Sequence, residues 1–563
     1  MAQATHLTAP DPSETGWPKG VPYIIGNEGC ERFSFYGMKA ILQVHLTVLF
    51  IATGLADKAA GDQAQVMGHL FMAAVYATPM IGAMIADRLL GKYRTIVWLS
   101  LVYCAGHFVL AVAENSIGGM QLGLGLIAIG SGGIKPCVSA HVGDQFGKGN
   151  WSKVEKVFQA FYFIINFGSF FSTLLIPYLR TNYGSSVAFG LPGALMLIAT
   201  FMFWMGRHKF VHVPPNPGGR IGLLDTLAGS LFFIGFIAVP MFFQSSLGLW
   251  GTLIAMPVSI GLGAFVFLLR QARQPDDGFL AVVTHTIAAV ANGKNRPTIE
   301  EFGATAPEGS LLRHWLFASA AKKFGEDAAE GPRAVLRIIS VFAFVSVFWA
   351  LFDQHATSWV RQADLMNLTV QLPLFSNPLT LEASQISALN PLMVMALIPF
   401  NNLVFYPLMA ALGLTLTPLR KMTIGMLMAS LAFVSVALLQ AAIETAPQGD
   451  KLSILWQVIP YLIMTQAEVM VSITGLEFAY SQAPKRMKST IMGFWLLVVA
   501  FGNVLVAFVT RTQNWLLPKL VDVPNGGEPT LSQFFWFFAG LMAIAGALFG
   551  LRAIFYRGRE YSQ

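Results

Sequence analysis

The chain has 563 residues, of which 55% are hydrophobic and only 12% are charged. With a mean hydropathy of +0.59, this composition excludes a soluble globular domain and predicts an all-α protein that crosses a membrane many times. The first twenty residues are polar and contain prolines, so we expect no cleaved signal peptide. The three cysteines lie in apolar runs, which favours neither disulfides nor a metal cluster.

Fourteen segments reach the roughly 20 mostly apolar residues that a membrane-spanning helix needs. In chain order they cover about residues 21–52, 63–86, 95–114, 115–140, 154–179, 185–205, 223–243, 248–269, 335–359, 383–411, 420–443, 453–480, 487–511 and 530–551. The seventh and eighth are charge-free from 226 to 269 and predict a helical hairpin. Residues 270–334 follow as a polar linker, with amphipathic stretches near 279–292 and 311–324.

Setting the hairpin aside leaves twelve spans, which we interpret as two six-helix bundles. The predicted divisions are an N-terminal tail (1–20), an N-terminal bundle (21–210), the hairpin with the linker (211–334, hairpin about 223–269), a C-terminal bundle (335–556) and a C-terminal tail (557–563). Most of the 36 Lys and Arg residues fall on the side of the N-terminal tail. The positive-inside rule then predicts cytoplasmic termini, and the net charge of +7 needs no nucleic-acid partner.

The first span carries an unusual polar stripe. Glu28, Glu31, Arg32, Tyr36 and Lys39 lie at i, i+3, i+4, i+8 and i+11, along one side of a helix. Charges at bilayer depth are costly and mark an ion or substrate path. The other charges predicted inside spans are Lys135, Asp353, Glu468 and Glu477. They fall on spans that would line a central cavity, although a purely structural set of ion pairs is an alternative.

Two short basic turns stand at corresponding places in the two halves, at 82–96 and 416–424. The first resembles the loop signature of the major facilitator superfamily, whose two six-helix halves rock about a central site. The resemblance implies the major facilitator fold with twelve core helices and an inserted two-helix hairpin.

Five further motifs carry a more specific resemblance. They are Glu28–Gly37, Gly132–Ala140 with Gly143–Phe146, Phe161–Ser169, Phe348–Gln354, and Asn390-Pro391 followed by Glu468–Pro484. Together they resemble the proton-dependent oligopeptide transporters, and the short loop at 444–452 resembles bacterial members rather than animal ones. The resemblance implies a symporter of di- and tripeptides in the cell inner membrane. Its partners would be peptides, protons and the lipid bilayer, with no cofactor beyond the coupling proton and a monomer as the working unit.

A zwitterionic peptide needs a fixed anion near its ammonium and a fixed cation near its carboxylate, roughly 6 to 10 Å apart. The resemblance implies that Glu468 and Ser472 receive the amino terminus of the peptide, with Asn390 and Asn166 as hydrogen-bonding neighbours. Lys135 and Lys39 would supply positive charge for the peptide carboxylate. Where the family more often has Arg, this chain has Lys39, which lacks the bidentate fork. The aromatic residues expected to line side-chain pockets are Tyr36, Tyr76, Tyr162, Trp349 and Trp495.

Coupling needs groups whose proton affinity changes with conformation. Glu28, Glu31, Arg32 and Asp353 are the predicted coupling residues, and Asp353 is expected to pair with Lys39 as a latch between the halves. His69 stands where mammalian peptide transporters carry a histidine linked to protonation, and histidine titrates near neutral pH. Glu477 is interpreted as structural, and His141 and His355 have no assigned role.

Two other classes of function stay open. The first is a transporter of the same fold for nitrate, a glycoside or a drug. The second is a membrane enzyme built around Asp353, His355 and Ser358, which the absence of a Gly-x-Ser-x-Gly turn disfavours. The predicted protein is therefore not an enzyme, and no Walker phosphate loop indicates nucleotide use.

Overall fold

The computed structural model describes residues 7–294, 310–371, 377–447, 450–482, 488–520 and 528–556. Helices dominate these ranges, with one small antiparallel hairpin of strands. The helices are α1 (Val21–Ala52), α2 (Asp57–Ala77), α3 (Pro79–Ile85), α4 (Lys92–Val112), α5 (Ile117–Gly143), α6 (Val154–Tyr183), α7 (Ser185–Met205), α8 (Gly219–Phe233), α9 (Gln244–Arg273), α10 (Phe279–Ala291), α11 (Ala318–Phe324), α12 (Glu326–Phe352), α13 (Ser358–Asp364), α14 (Leu389–Phe400), α15 (Tyr406–Ala411), α16 (Pro418–Thr445), α17 (Val458–Glu468), α18 (Thr474–Ser481), α19 (Lys488–Leu516) and α20 (Leu531–Ile554). The strands are β1 (Thr369–Val370) and β2 (Leu379–Thr380).

Several membrane-spanning runs are composite. Short π-helical segments continue them at Ala86–Leu90, Ile234–Phe243, Asn401–Phe405 and Val469–Ile473. Pro240 lies inside the second of these segments and Pro399 just before the third. Proline lacks the N–H that an α-helical ladder requires, which gives a local reason for the altered winding. With these segments joined, the described residues form 14 runs long and apolar enough to span a membrane, and the predicted number is confirmed.

Each half of the molecule has its own apolar core. Helices α1, α2, α4, α5 and α7 enclose one that includes Phe35, Tyr103 and Phe189. Helices α12, α13, α16, α17, α19 and α20 enclose the other, around Phe348 and Trp359. The halves meet where α2 packs against α19 and α6 against α14. Two cores joined along a seam are the arrangement that a rocking mechanism requires.

The inserted hairpin, α8 with its π-helical continuation and α9, lies at this seam. A Cβ atom added to Gly222 would lie 1.7 Å from the carbonyl oxygen of Arg88, so only glycine permits this approach of α8 to the turn after α3. Farther along, Phe233 and Ala238 pack with Ala73 of α2 and Leu497 of α19. The hairpin therefore contacts both halves.

The linker differs from the sequence expectation in detail. The amphipathic stretch expected near 279–292 is α10, whereas the one expected near 311–324 is a 3₁₀ turn at Leu311–Arg313 followed by the short helix α11. The next span begins at Glu326 rather than near residue 335, because Pro332 is accommodated inside α12. Part of the linker, 295–309, and the tail 557–563 lie outside the described residues.

Candidate substrate and proton site

The polar stripe of α1 is buried and internally paired. Arg32 Nε donates to Glu28 Oε1 at 2.7 Å and lies 3.3 Å from Glu31 Oε2. Lys135 Nζ, on α5, donates to Glu31 Oε1 at 3.3 Å and sits 4.1 Å above the ring of Phe35. Two acids thus meet two bases at a position where an unpaired charge would cost several kcal/mol.

A second network joins the two halves. Lys39 Nζ of α1 donates to Asp353 Oδ1 at 2.8 Å, and the pair is almost fully buried. Asn503 of α19 donates from Nδ2 to Asp353 Oδ2 at 2.7 Å. Lys39 and Asp353 are thereby brought together as the sequence predicted, while Asn503 was missed because a lone asparagine in an apolar span resembles a packing residue.

His69 of α2 extends this network. Its Nδ1 lies 2.7 Å from Asn503 Oδ1, and its Nε2 lies 3.0 Å from Thr357 Oγ1. Because the Asn503 amide nitrogen is used by Asp353, the Asn503 oxygen is left to accept from Nδ1–H. The neutral histidine then accepts from the Thr357 hydroxyl through Nε2. Protonation of Nε2 would remove that acceptor.

Helices α14 and α17 of the C-terminal half carry another polar cluster. Asn390 Nδ2 donates to Glu468 Oε2 at 2.7 Å and lies 3.3 Å from Thr465 Oγ1. Glu468 ends α17, and Ser472 follows within the π-helical segment Val469–Ile473.

The aromatic candidates divide into two groups. Trp349 and Trp495 are buried and pack edge to face, with ring centroids 6.4 Å apart. Tyr162 is 40% exposed, whereas Tyr36 and Tyr76 are half-buried. Asn166 donates to the Tyr162 carbonyl oxygen of its own helix. This hydrogen bond lies within α6 and does not involve Glu468, the neighbour expected from the sequence.

A third network lies at the end of α2 that precedes His69. Arg361 Nη1 of α13 donates to Asp62 Oδ1 at 2.8 Å and to Gln65 Oε1 at 3.3 Å. Gln513 of α19 donates to the other oxygen of Asp62. The residues border a cavity of about 280 Å³, together with Lys58, which pairs with Glu528 at 2.7 Å. Sequence reasoning missed this network because charges at span ends are ordinarily solvated.

A protein-family model described as PTR2, the POT family, matches residues 93–225 and 278–522, more than half of the chain. The chain belongs to the POT family. Among curated relatives, solute carrier family 15 member 2 of Danio rerio is 32% identical over 457 residues, which cover 78% of this chain and 52% of the relative. Solute carrier family 15 member 1 of Oryctolagus cuniculus is 31% identical over 454 residues, or 76% and 53% of the two chains. This POT family member spans about half the length of the curated relatives it matches.

Solved structures of POT family transporters are similar to this structure over nearly the whole chain. The POT family transporter PepTSo is 38% identical, with a TM-score of 0.75 and coverage of 96% of this chain and 99% of that one. An auto inhibited POT family peptide transporter is 36% identical, with a TM-score of 0.76 and coverage of 97% and 99%. The predicted major facilitator fold and family resemblance are confirmed, and membership in a transporter family agrees with the prediction that the protein is not an enzyme. Within the described ranges, no group of three or more His, Cys, Asp or Glu residues could hold a metal ion.

Proposed function

We propose that this POT family member is a proton-coupled symporter that imports di- and tripeptides by alternating access of its two halves. The observation that carries the proposal is the buried Lys39–Asp353 pair with its Asn503 and His69 neighbours, which joins the halves through titratable groups. A relative described as a peptide transporter, at 36% identity over nearly the whole chain, supports the substrate class. Making and breaking such a junction lets proton binding bias the exchange between two conformations.

The peptide is held by charge at its ends and by contact area between them. Glu468, with Asn390 and Ser472, receives the ammonium, and Lys135 supplies charge for the carboxylate after it is released from Glu31. Tyr36, Tyr76, Tyr162, Trp349 and Trp495 offer apolar faces that accept varied side chains without specific hydrogen bonds. Lys39, Asn166 and Tyr162 complete the proposed set of peptide-binding residues.

The coupled proton acts on Glu28, Glu31 and Asp353. Arg32 remains a cation at any accessible pH, so it holds its acidic neighbours ionised until a proton or the peptide carboxylate changes the balance. When Lys135 turns to the peptide carboxylate, Glu31 loses one cation and gains affinity for a proton. Substrate and proton then bind together, which is the requirement for symport.

The proton gradient supplies enough free energy for accumulation. A membrane potential of about 100 mV gives roughly 2.3 kcal/mol per charge, and one pH unit adds about 1.4 kcal/mol. One proton can then sustain a peptide gradient on the order of 500-fold. No nucleotide or resident cofactor is needed.

The proposed location is the cell inner membrane, with both termini in the cytoplasm and a monomer as the working unit. The positive side-chain bias toward the N-terminal side supports this orientation. Cysteines introduced into the linker, within 270–294, would be labelled by a membrane-impermeant thiol reagent only after the cells are opened.

Uptake by reconstituted protein tests the proposal. Proteoliposomes with an inward proton gradient should accumulate a hydrolysis-resistant dipeptide, and a protonophore should abolish the accumulation. Competition with tripeptides, tetrapeptides, nitrate, a glycoside and a cationic drug distinguishes the substrate class. Failure to accumulate the dipeptide, with efficient uptake of one of the other solutes, would overturn the proposal.

A further inference from the structure

Helix α1 carries a second polar face, which points away from the stripe of Arg32 and Lys39. Asn27, Glu31 and Ser34 lie at i, i+4 and i+7, and all three are buried. Ser34 Oγ donates to the carbonyl oxygen of Pro192 on α7 at 2.7 Å. This face is therefore directed into the N-terminal half, and Glu31 is the one acid that belongs to both faces.

His107 of α4 meets the same turn of α7. Its Nδ1 lies 3.3 Å from the carbonyl oxygen of Phe189, and a Cβ atom added to Gly193 would lie 2.6 Å from the Cβ of His107. Ser34 and His107 thus contact the same turn of α7. On α1, Glu31 lies one turn before Ser34. Glu31 and His107 interact electrostatically.

Tyr103 and Ser131 complete the enclosure. The Tyr103 ring lies 5.0 Å from the His107 ring, and Tyr103 packs against Gly130 of α5. Ser131 follows Gly130 and precedes Lys135 by one turn, and Lys135 in turn pairs with Glu31. Helices α1, α4, α5 and α7 therefore surround one small polar region behind Glu31, which we call the inner chamber.

The inner chamber holds more polar atoms than the protein satisfies. Within the part of the chain that the structure describes, its buried atoms that lack a hydrogen-bond partner are Asn27 Oδ1 and Nδ2, Tyr103 Oη, His107 Nε2 and Ser131 Oγ, whereas each oxygen of Glu31 faces a cation. Buried polar atoms are rarely left unpaired in native proteins, and ordered water is their usual partner. Because Nδ1 of His107 faces a carbonyl oxygen and must donate, its Nε2 is the acceptor.

We propose that the inner chamber is a hydrated site in which His107 exchanges the transported proton with Glu31. A proton leaves the protonated Glu31 carboxyl group through a water molecule and binds Nε2 of neutral His107, giving a carboxylate and an imidazolium; the reverse step restores both. The charged or titratable groups around His107 are Glu31 from α1 and Tyr103 from its own helix, with Lys135 of α5 behind them as the partner of Glu31, and α7 contributes none between 185 and 205. This inference rests on the proposed proton-coupled transport.

Two proton-accepting groups together bind a proton more tightly than Glu31 alone. In His107→Gln and His107→Phe, the pH at which gradient-driven dipeptide uptake is half-maximal should therefore shift downward by about one unit. Tyr103→Phe should shift it in the same direction by a smaller amount. The matched control is His141→Phe, which alters another buried histidine, packed against Phe210 at 5.1 Å, and should leave the pH profile unchanged.

Infrared difference spectroscopy on the purified protein provides a readout that does not depend on transport. Acidification should produce protonated-carboxyl and imidazolium bands, and His107→Gln should remove the His107 contribution to the second and shift the Glu31 contribution to the first. Glu31→Gln should alter the His107 imidazolium signal. Unchanged bands and an unchanged pH profile in both His107 variants would overturn the proposal, as would an equal shift in His141→Phe. Absence of dipeptide uptake by the unaltered protein would instead reject the proposed function, while the infrared result would still test the chamber.

Discussion

Lys39 and Asp353 stand 314 positions apart in the chain, yet Lys39 Nζ lies 2.8 Å from Asp353 Oδ1. The pair joins α1 of one half to the end of α12 in the other, and both side chains are nearly inaccessible to water. Removing one partner of a buried ion pair leaves an uncompensated charge and costs about 3–5 kcal/mol. Under the proposed function, this contact would tie the relative position of the halves to the protonation state of the Asp353 carboxyl group.

Breaking this latch should uncouple transport from the proton gradient. Asp353→Asn and Lys39→Ala should each lower gradient-driven dipeptide uptake at least tenfold, because the ion pair can no longer report protonation. Lys39→Arg is the matched control, since it keeps the charge, and it should retain substantial uptake. Initial rates in proteoliposomes provide the measurement. Normal gradient-driven uptake by Asp353→Asn would show that the latch is not part of coupling.

Substitution of Glu468 should selectively weaken recognition of the peptide ammonium. In Glu468→Gln, the dipeptide concentration that inhibits uptake of the labelled substrate by half should rise more than tenfold, because a charge-assisted contact of about 1.5–3 kcal/mol is lost. An N-acetylated dipeptide has no ammonium, so its weak competition should change little. Glu477→Gln, on an exposed part of α18, is the control, and the dipeptide should inhibit uptake by this variant as strongly as it inhibits uptake by the unaltered protein. Equal losses for both ligands would place the ammonium elsewhere.

The Arg361–Asp62 contact should contribute to the closure of the two halves as a coupled pair. Asp62→Asn and Arg361→Gln should be less harmful together than the sum of the single changes, with a coupling free energy of about 0.5–3 kcal/mol. The thermal unfolding midpoint in detergent gives the four stabilities of the cycle. Lys58→Gln, which breaks a more exposed pair with Glu528, should cost about 0–1 kcal/mol. Strict additivity of the Asp62 and Arg361 changes would contradict a functional link between them.

The hairpin should depend on Arg270 for its attachment at the linker end. Arg270 is 3% exposed, and it contacts Asp225 Oδ1 at 2.6 Å and Asp276 Oδ2 at 2.8 Å. Arg270→Gln leaves two acids facing each other without their shared cation, so the unfolding midpoint should fall by several degrees. Arg273→Gln, on the exposed side of the same helix, is the control. An unchanged midpoint in Arg270→Gln would mean that the linker end of the hairpin is held by other contacts.

The fold was predictable because insertion into a membrane requires a simple sequence pattern. A span must be long and apolar, and a charge inside it is tolerated only where an opposite charge pairs with it or water solvates it. The few intramembrane charges could therefore be assigned to a common region, and the opposite signs of Lys39 and Asp353 indicated their pairing. Helix starts were less predictable, as the early start of α12 at Glu326 shows.

The uncharged members of the networks could not be predicted in the same way. Asn503 and Thr357 look like ordinary residues of apolar spans. Only the packing of α2 against α19, and the non-helical turn that precedes α13, bring them to His69. The hydrogen bond from Asn166 to the Tyr162 carbonyl oxygen of its own helix was equally unpredictable, because the motif assigned Asn166 to the peptide without indicating this partner. His107 had no motif around it, and its position behind Glu31 depends on the meeting of four helices.

Peptide-driven movement of protons is the most direct test of coupling. Proteoliposomes carrying a pH-sensitive dye inside, with equal pH on both sides and an inside-negative potential, should acidify internally when dipeptide is added outside. Glu31→Gln should abolish the acidification while peptide exchange across the membrane continues. Entry of the dipeptide with no change of internal pH in the unaltered protein would contradict proton symport.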